Sequence, residues 1–230
     1  MRLSEIRRRR RTVTGGGGGG GITDPLDLPS TRMWIDSRLV PETSGFIVGP
    51  VINQAPGGNI TVDSCSVSST NGQKTWNSGS AAFPASYVLG AANSICYIVS
   101  GNGSANRYIL SGSLGASKPA ILYGYTGSPR NFEWYGPADA DRTVLGADDD
   151  ATHLHYITIV QVDAVSLKLW FDGTLVLSKV PVTGMAGAAL GYVHQTYGGR
   201  FAGLVHCDAA LTDEQVEQLH DWIRAEWGLT

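Results

Sequence analysis

Long apolar runs are missing from this chain. No stretch of its 230 residues approaches the roughly twenty consecutive apolar residues that a membrane helix needs. Positive charge opens the chain, but polyglycine follows it where a secretory signal would carry an apolar core. The chain is therefore expected to be made in a cytoplasm and to have no membrane partner. Cysteine is scarce too. Cys65, Cys96 and Cys207 form no metal-like spacing, and an odd count without a signal points to free thiols. Cys96 and Cys207 fall in strand-like stretches and read as small buried hydrophobes. Charged residues make up only 16% of the chain and glycines number thirty, which suits many short strands joined by tight turns.

Paired carboxylates are missing as well. Sugar hydrolysis needs two of them, one to protonate the leaving group and one to attack or to activate water. Alternate strand residues share a face, so a Glu-x-Asp type spacing would present such a pair. Glu133 instead stands alone in Phe132-Glu-Trp-Tyr135, Asp139 and Asp141 lie in a Gly-Pro-flanked loop, and Glu214, Glu217 and Glu226 fall in the final helix as a solvated face. No serine sits in a Gly-x-Ser-x-Gly elbow. No catalytic residue is assigned, and the chain is expected not to be an enzyme.

What is present is a succession of strand signals and one helix. Phe46–Ile52, Ser94–Ser100, Arg107–Ser111, Ala120–Tyr125, Asn131–Tyr135, His155–Val162, Leu167–Phe171, Thr174–Leu177, Ala188–Val193 and Arg200–Cys207 are rich in Val, Ile, Tyr, Phe and Trp, and turn residues punctuate them. Asp172-Gly173 suits a two-residue hairpin turn. After Cys207, Thr212 stands three residues before Gln215 at capping-box spacing. Val216, Leu219, Ile223 and Trp227 then recur at helical spacing, and Gly228 supplies the stop. Ten strands against one helix favour a sandwich or jelly roll over an α/β fold.

The N-terminus is a separate object. Residues 1–11 hold six arginines, five of them consecutive from Arg7 to Arg11, and Gly15–Gly21 follows as an unbroken glycine run. With one glutamate among them, these eleven residues carry a net +5. The remaining eleven basic and nineteen acidic residues give the body −8. A block of like charge stays solvated unless a partner neutralises it, and polyglycine behaves as a flexible tether. Arg7, Arg8, Arg9, Arg10 and Arg11 are therefore read as an anchor, with a solvated tail as the alternative. An acidic protein groove and packaged nucleic acid both suit arginine forks. The acidic body itself is not expected to bind nucleic acid.

Several pieces together carry a family resemblance. The last strand and helix present Gly199, Phe201, Asp208, Ala210, Leu211, Thr212 and then Trp227-Gly228-Leu229; the hairpin His155–Val162 and Leu167–Phe171 ends in Asp172-Gly173; Met33-Trp-Ile-Asp-Ser37 is a weaker opening match. Over about residues 32–229 the chain resembles the laminin-G-like branch of the concanavalin A-like lectin/glucanase sandwiches, especially the versions in bacteriophage structural proteins. Gly203 departs from the pattern, standing where that family has Glu. The resemblance implies an all-β, jelly-roll β-sandwich of concanavalin A-like type with one short C-terminal helix and an extended N-terminal arm. The expected division is residues 1–30 as basic, glycine-rich arm and 31–230 as sandwich.

For ligand contact, aromatic faces and loop polar groups are the usual tools. Trp134, Tyr135, Tyr197 and His194 are the candidates, with Tyr192 flanking the same loop as Tyr197; strand aromatics are otherwise core residues. No cofactor is required. Related laminin-G-like domains bind calcium at a loop rim, and Asp148, Asp149 and Asp150 could hold Ca²⁺ through oxygen ligands, against the plainer reading of an acidic surface loop. His153 and His155 share a strand start, but no third metal ligand is spaced nearby. These features lead to a non-enzymatic virion surface protein: a capsid decoration, head fibre or tail-fibre module, held by residues 1–30 to other virion subunits in an oligomeric assembly. It is expected to contact host-surface glycan. Alternatives are a purely structural cement or adaptor subunit, or a free lectin or glycoside hydrolase.

Overall fold

The structure is a computed structural model. It describes residues 21–230 apart from 78, 86, 102–106, 115–117, 124–130, 139–140, 148–152 and 195–198. Among the described residues fifteen strands form one continuous antiparallel sheet, nearly closed on itself into two facing layers. The first layer runs β15 (Arg200–Cys207), β6 (Ala92–Ser100), β11 (His155–Val162), β12 (Ser166–Phe171) and β13 (Thr174–Lys179). The free edge of β15 takes both β1 (Thr31–Asp36) and β4 (Gln73–Trp76). The second layer runs β10 (Thr143–Ala147), β9 (Asn131–Tyr135), β8 (Lys118–Tyr123), β7 (Arg107–Leu114), β14 (Leu190–His194), β5 (Ser80–Ala82), β3 (Ile60–Thr70) and β2 (Phe46–Val51).

β3 joins the layers. Its first half pairs with β5 and β2, its last four residues pair with β4, and Ser64 in between takes a positive φ of 57°. Across the opposite seam, the fully buried Asp141 accepts a 2.6 Å contact from Lys179 Nζ and the backbone N–H of Val182. Apolar side chains from the inner faces fill the space between layers: Ile95, Tyr97, Ile157, Ile159, Leu169 and Phe201 from one side, Ile60, Leu110, Ile121, Phe132, Trp134 and Leu190 from the other.

The first layer is apolar on its outer face too, because α1 (Asp213–Trp227) lies across it. Cys96, Ile98, Tyr156, Val160, Val205 and Cys207 alternate with the inner-core residues and meet Val216, Leu219, Trp222, Ile223 and Trp227. The helix ends are those expected. Thr212 and Gln215 satisfy each other's backbone N–H groups, and Gly228 closes the helix in the left-handed conformation (φ 65°, ψ 36°). Gly203 lies under this helix: a Cβ there would stand 3.3 Å from the Trp227 ring and 3.2 Å from Ile98. A glutamate at that position would therefore displace the helix as it is seated here.

Residues 22–30, assigned to the arm on sequence, pack on the body. Ile22, Leu26 and Leu28 join the helix-side core, and a short 3-10 turn at Pro25–Asp27 carries its own capping box from Asp24. The expectation of a mostly antiparallel β domain with one C-terminal helix holds. The strand order does not establish a jelly roll. All three cysteines are free thiols buried in the body, and burial pushes Cys65 and Cys96 up to about 12 and Cys207 to about 11, as befits inert packing groups.

Candidate functional site

With one outer face closed by α1, the other outer face lies on the second layer, where Glu133, Ala120 and Ser111 are buried and Tyr135, Arg142, Val144 and Tyr192 are at least partly exposed. Phe132 and Trp134 point into the inter-layer core, so Asn131, Glu133 and Tyr135 alternate onto the outer face. There Glu133 is fully buried and takes both Nε and Nη2 of Arg142 at 2.8 Å. The guanidinium sits over the Tyr135 ring, 5.0 Å from its centroid, and Val144 beside it on β10 is exposed. Burial of the carboxylate fixes the position of a guanidinium that is itself 35% exposed. The result is a half-buried aromatic ring next to a rigid fork of N–H groups.

Strand register extends this group across the sheet. Tyr135 lies opposite Ala120, Ala120 opposite Ser111, Ser111 opposite Tyr192, and Tyr192 opposite Ala82, which faces Thr61. Directly opposed residues share a face. The two tyrosines are thus three strands apart, about 14 Å at the usual strand spacing. Ala120 and Ser111 are small and covered, so the accessible groups are at the two ends: Arg142 and Tyr135 on one side, Tyr192 (38% exposed) on the other.

The sequence candidates fare unequally. Tyr135 lies on the outer face and is half-buried. Trp134 is a correction: it is 0% exposed in the inter-layer core and cannot stack on a ligand, because its neighbours in the strand take the outer face. His194 closes β14 by backbone pairing with Ala81, but its side chain lies outside the described residues, as do Tyr197, Asp148, Asp149, Asp150 and Arg7 to Arg11. Among the described residues no group of three or more His, Cys, Asp or Glu is placed to hold a metal ion, and no helix is long and apolar enough to cross a membrane. Arg142 was missed in the sequence. The available signal was its place nine residues after Glu133, across the Gly136-Pro137 turn.

A second concavity of about 350 Å³ lies near the tip of the β12–β13 hairpin, lined by Asn71, His153, His155, Asp172 and Gly228 among others. Asp172 and Gly173 form the expected hairpin turn with φ of 48° and 78°. The Asp172 carboxylate clamps the turn: Oδ1 accepts the Tyr156 N–H at 2.9 Å and Oδ2 is 2.6 Å from His155 Nδ1. His155 stacks on Phe171 with Phe132 at its edge, so this histidine serves the hairpin as a packed and hydrogen-bonded ring.

No family model and no curated protein sequence matches the chain. Solved structures do. Domain 4 of AbnA, a GH43 extracellular arabinanase from Geobacillus stearothermophilus, in complex with arabinotriose, is 16% identical, with 83% of this chain and 98% of that one covered and a TM-score of 0.51. The sialidase of Trypanosoma rangeli in complex with 2,3-difluorosialic acid is 10% identical over 97% of this chain at a TM-score of 0.61. Its complex with sialic acid is 12% identical over 84% at 0.55. The chain spans only 38% and 36% of those two sialidase chains. At these identities the likeness is one of fold.

These neighbours correct the expectation of a non-enzymatic protein. That expectation rested on a missing carboxylate pair, whereas the fold recurs in domain 4 of an arabinanase and in sialidases, so the absence of the pair does not decide against an enzyme. What the structure establishes is a nearly closed, antiparallel β fold that also occurs in these solved structures.

Proposed function

We propose that this chain is a carbohydrate-active β domain that binds oligosaccharide on the outer face of its second layer. The observation that carries the reading is the Tyr135–Arg142–Glu133 group, in line with Tyr192 across the sheet. A tyrosine face covers the apolar side of a sugar ring, while a fixed guanidinium donates to its hydroxyls. The fold likeness to an arabinotriose-bound domain and a sialic acid-bound chain supports the same ligand class. Titration of the full chain with an oligosaccharide panel, with reducing-sugar release followed in the same samples, tests it. Tyr135→Ala and Tyr192→Ala should each weaken binding about tenfold or more, as loss of a sugar-stacking ring does. Equal affinity in both variants would refute the assignment of the face.

We further propose that the chain works on a phage-like particle, with the basic, glycine-linked arm as its tether to neighbouring subunits. The charge division of +5 in residues 1–11 against −8 in the remainder supports this second reading. Deleting residues 1–21 should leave the body folded and abolish incorporation. Normal occupancy of the particle by the truncated protein would show that the arm is not the attachment.

A further inference from the structure

A separate concavity of about 370 Å³ lies where β1 begins and β15 ends, lined by Ser30, Thr31, Arg32, Pro56, Gly57 and Asp208. We infer that it is a second binding site, for a carboxylate with a neighbouring hydroxyl, the chemistry of an acidic sugar. Arg32 holds the carboxylate, and Asp208 accepts from the hydroxyl. The site lies apart from the open face and does not depend on glycan binding there.

Arg32 is held in place from several directions. Its carbonyl accepts the Gly57 N–H at 2.7 Å and Asn53 Nδ2 at 2.9 Å. Position 57 has to be glycine for this approach, since a Cβ there would stand 2.2 Å from the Arg32 oxygen and 2.6 Å from its Cγ. The guanidinium lies over the buried Tyr87 ring, 4.1 Å from the centroid. Nη1 donates to Val88 O at 2.8 Å and to Asp208 Oδ1 at 3.3 Å. Nε and Nη2 have no protein partner among the described residues, and neither is sealed from solvent. Those two N–H groups form the edge of the fork that fits a carboxylate bidentately.

Asp208 is held more loosely. Its Oδ1 stands between two donors, 3.3 Å from Arg32 Nη1 and 3.7 Å from His206 Nε2, both longer than a usual hydrogen bond. Oδ2 has no partner among the described residues, and the side chain is 39% exposed. His206 is fully buried; its Nδ1 meets the Tyr87 hydroxyl, and its Nε2 has no hydrogen-bond partner. Burial, and then the charge of Arg32, hold this ring down to about 3, and burial pushes the Tyr87 hydroxyl above its usual range. Tyr87 therefore donates to Nδ1, and Nε2 carries the proton of a neutral ring. That N–H gives Asp208 a second donor close by when a ligand anion takes Arg32.

Among the described residues that line the concavity, Arg32 and Asp208 are the only charged ones. One cation and one anion match a ligand with one negative group and one hydroxyl donor, whereas Asp208 repels the second charge of a phosphate.

Titration of galacturonate and galactose into the full chain, followed by backbone-amide NMR, tests the site. Galacturonate should shift the amides of Arg32, Gly57 and Asp208 and bind at least about tenfold more tightly than galactose, which lacks the charge. Arg32→Gln should abolish that preference. Asp208→Asn should bind galacturonate about tenfold more tightly, because Arg32 is then uncompensated. Arabinotriose binding on the open face should be unchanged in both variants. Lactate, a hydroxy-carboxylate without a sugar ring, distinguishes the source: displacing galacturonate from the same amides marks a general hydroxy-carboxylate site, and failing to displace it marks a site for acidic sugars.

Absence of galacturonate shifts at Arg32, Gly57 and Asp208, or equal affinity for galactose, overturns the assignment. Galacturonate shifts confined to Asn131–Tyr135 and Tyr192 overturn it while leaving the open-face reading in place. Failure of arabinotriose to bind overturns the open-face reading and leaves this site standing. Should Arg32→Gln not fold, Asp208→Asn decides, since its exposed side chain meets only Arg32 and His206. A folded Asp208→Asn with unchanged galacturonate affinity contradicts the site.

Discussion

The two outer faces of this molecule are built from strands of the same kind and meet opposite fates. On the first layer, β6, β11 and β15 are buried almost end to end, because the inner core takes one set of alternate residues and α1 takes the other. On the second layer, β2 alternates exposed and buried residues, and β9 places Glu133 and Tyr135 between core aromatics. A strand covered on both sides must be apolar throughout, whereas a strand covered once can carry chemistry on its free side. The helix-covered face is spent on stability, and the proposed ligand contacts lie on the other face.

The sharpest break of that contrast is a charge under the helix. Ile223 is 0% exposed between α1 and the first layer. Ile223→Asp should cost about 4 kcal/mol or more by burying an unpaired carboxylate, read as a fall in the urea midpoint. An unchanged midpoint would mean that α1 is not seated on the layer.

Acid should act on the same region next. Burial holds His206 down to about 3 and His220 to about 4. His206 bonds Tyr87 through Nδ1 on the inner face of β15, and His220 meets Thr158 Oγ1 at 2.9 Å under the helix. Both are neutral when folded, while the unfolded chain takes up protons below about pH 6.5. Their contribution is therefore complete above about pH 6.5 and is lost as pH falls toward 4 and 3. Between pH 7 and pH 5 each should remove on the order of 2 kcal/mol. A flat stability profile over that interval, measured by urea unfolding, would show that neither ring is held neutral.

Smaller effects separate the two faces further. Thr212→Ala removes the side-chain cap of α1 and should cost about 1 kcal/mol, visible as a lower melting temperature with the β signal intact. Val144→Ser on the open face should change stability by under about 0.5 kcal/mol, since Val144 is 51% exposed. A loss as large as that of Ile223→Asp would mean that the second face is covered too.

The same contrast explains what could be read from the sequence. Asn131–Tyr135, His155–Val162 and Arg200–Cys207 were legible to the residue, and so were α1 and its two ends, because dense apolar content and capping chemistry are local signals. β3, β5 and β10 were not. Ile60–Thr70 is rich in Ser and Thr and bends between layers at Ser64, and Thr143–Ala147 is short and interrupted by Gly146. Neither offers a long periodic pattern, and their pairing depends on partners far away in the chain.

The site followed the same rule. Tyr135 was legible as an aromatic on a strand, but the side of the strand it faces was not, so Trp134 next to it was read as an equal candidate. The Glu133–Arg142 pair belongs to the register of β9 against β10, which tertiary pairing sets. Tyr192 joins Tyr135 only through the order β9-β8-β7-β14, a non-local feature with no trace in the spacing of residues 135 and 192.

The central claim is that ligand recognition sits on the open face and not on the helix-covered one. A backbone-amide NMR titration of the full chain with arabinotriose tests it most directly. Shift changes should concentrate at Asn131–Tyr135, at Thr143–Ala147 and around Tyr192, with the α1 amides and the His155–Asp172 hairpin unmoved. Changes confined to α1 or to the concavity beside Asp172 would contradict the account.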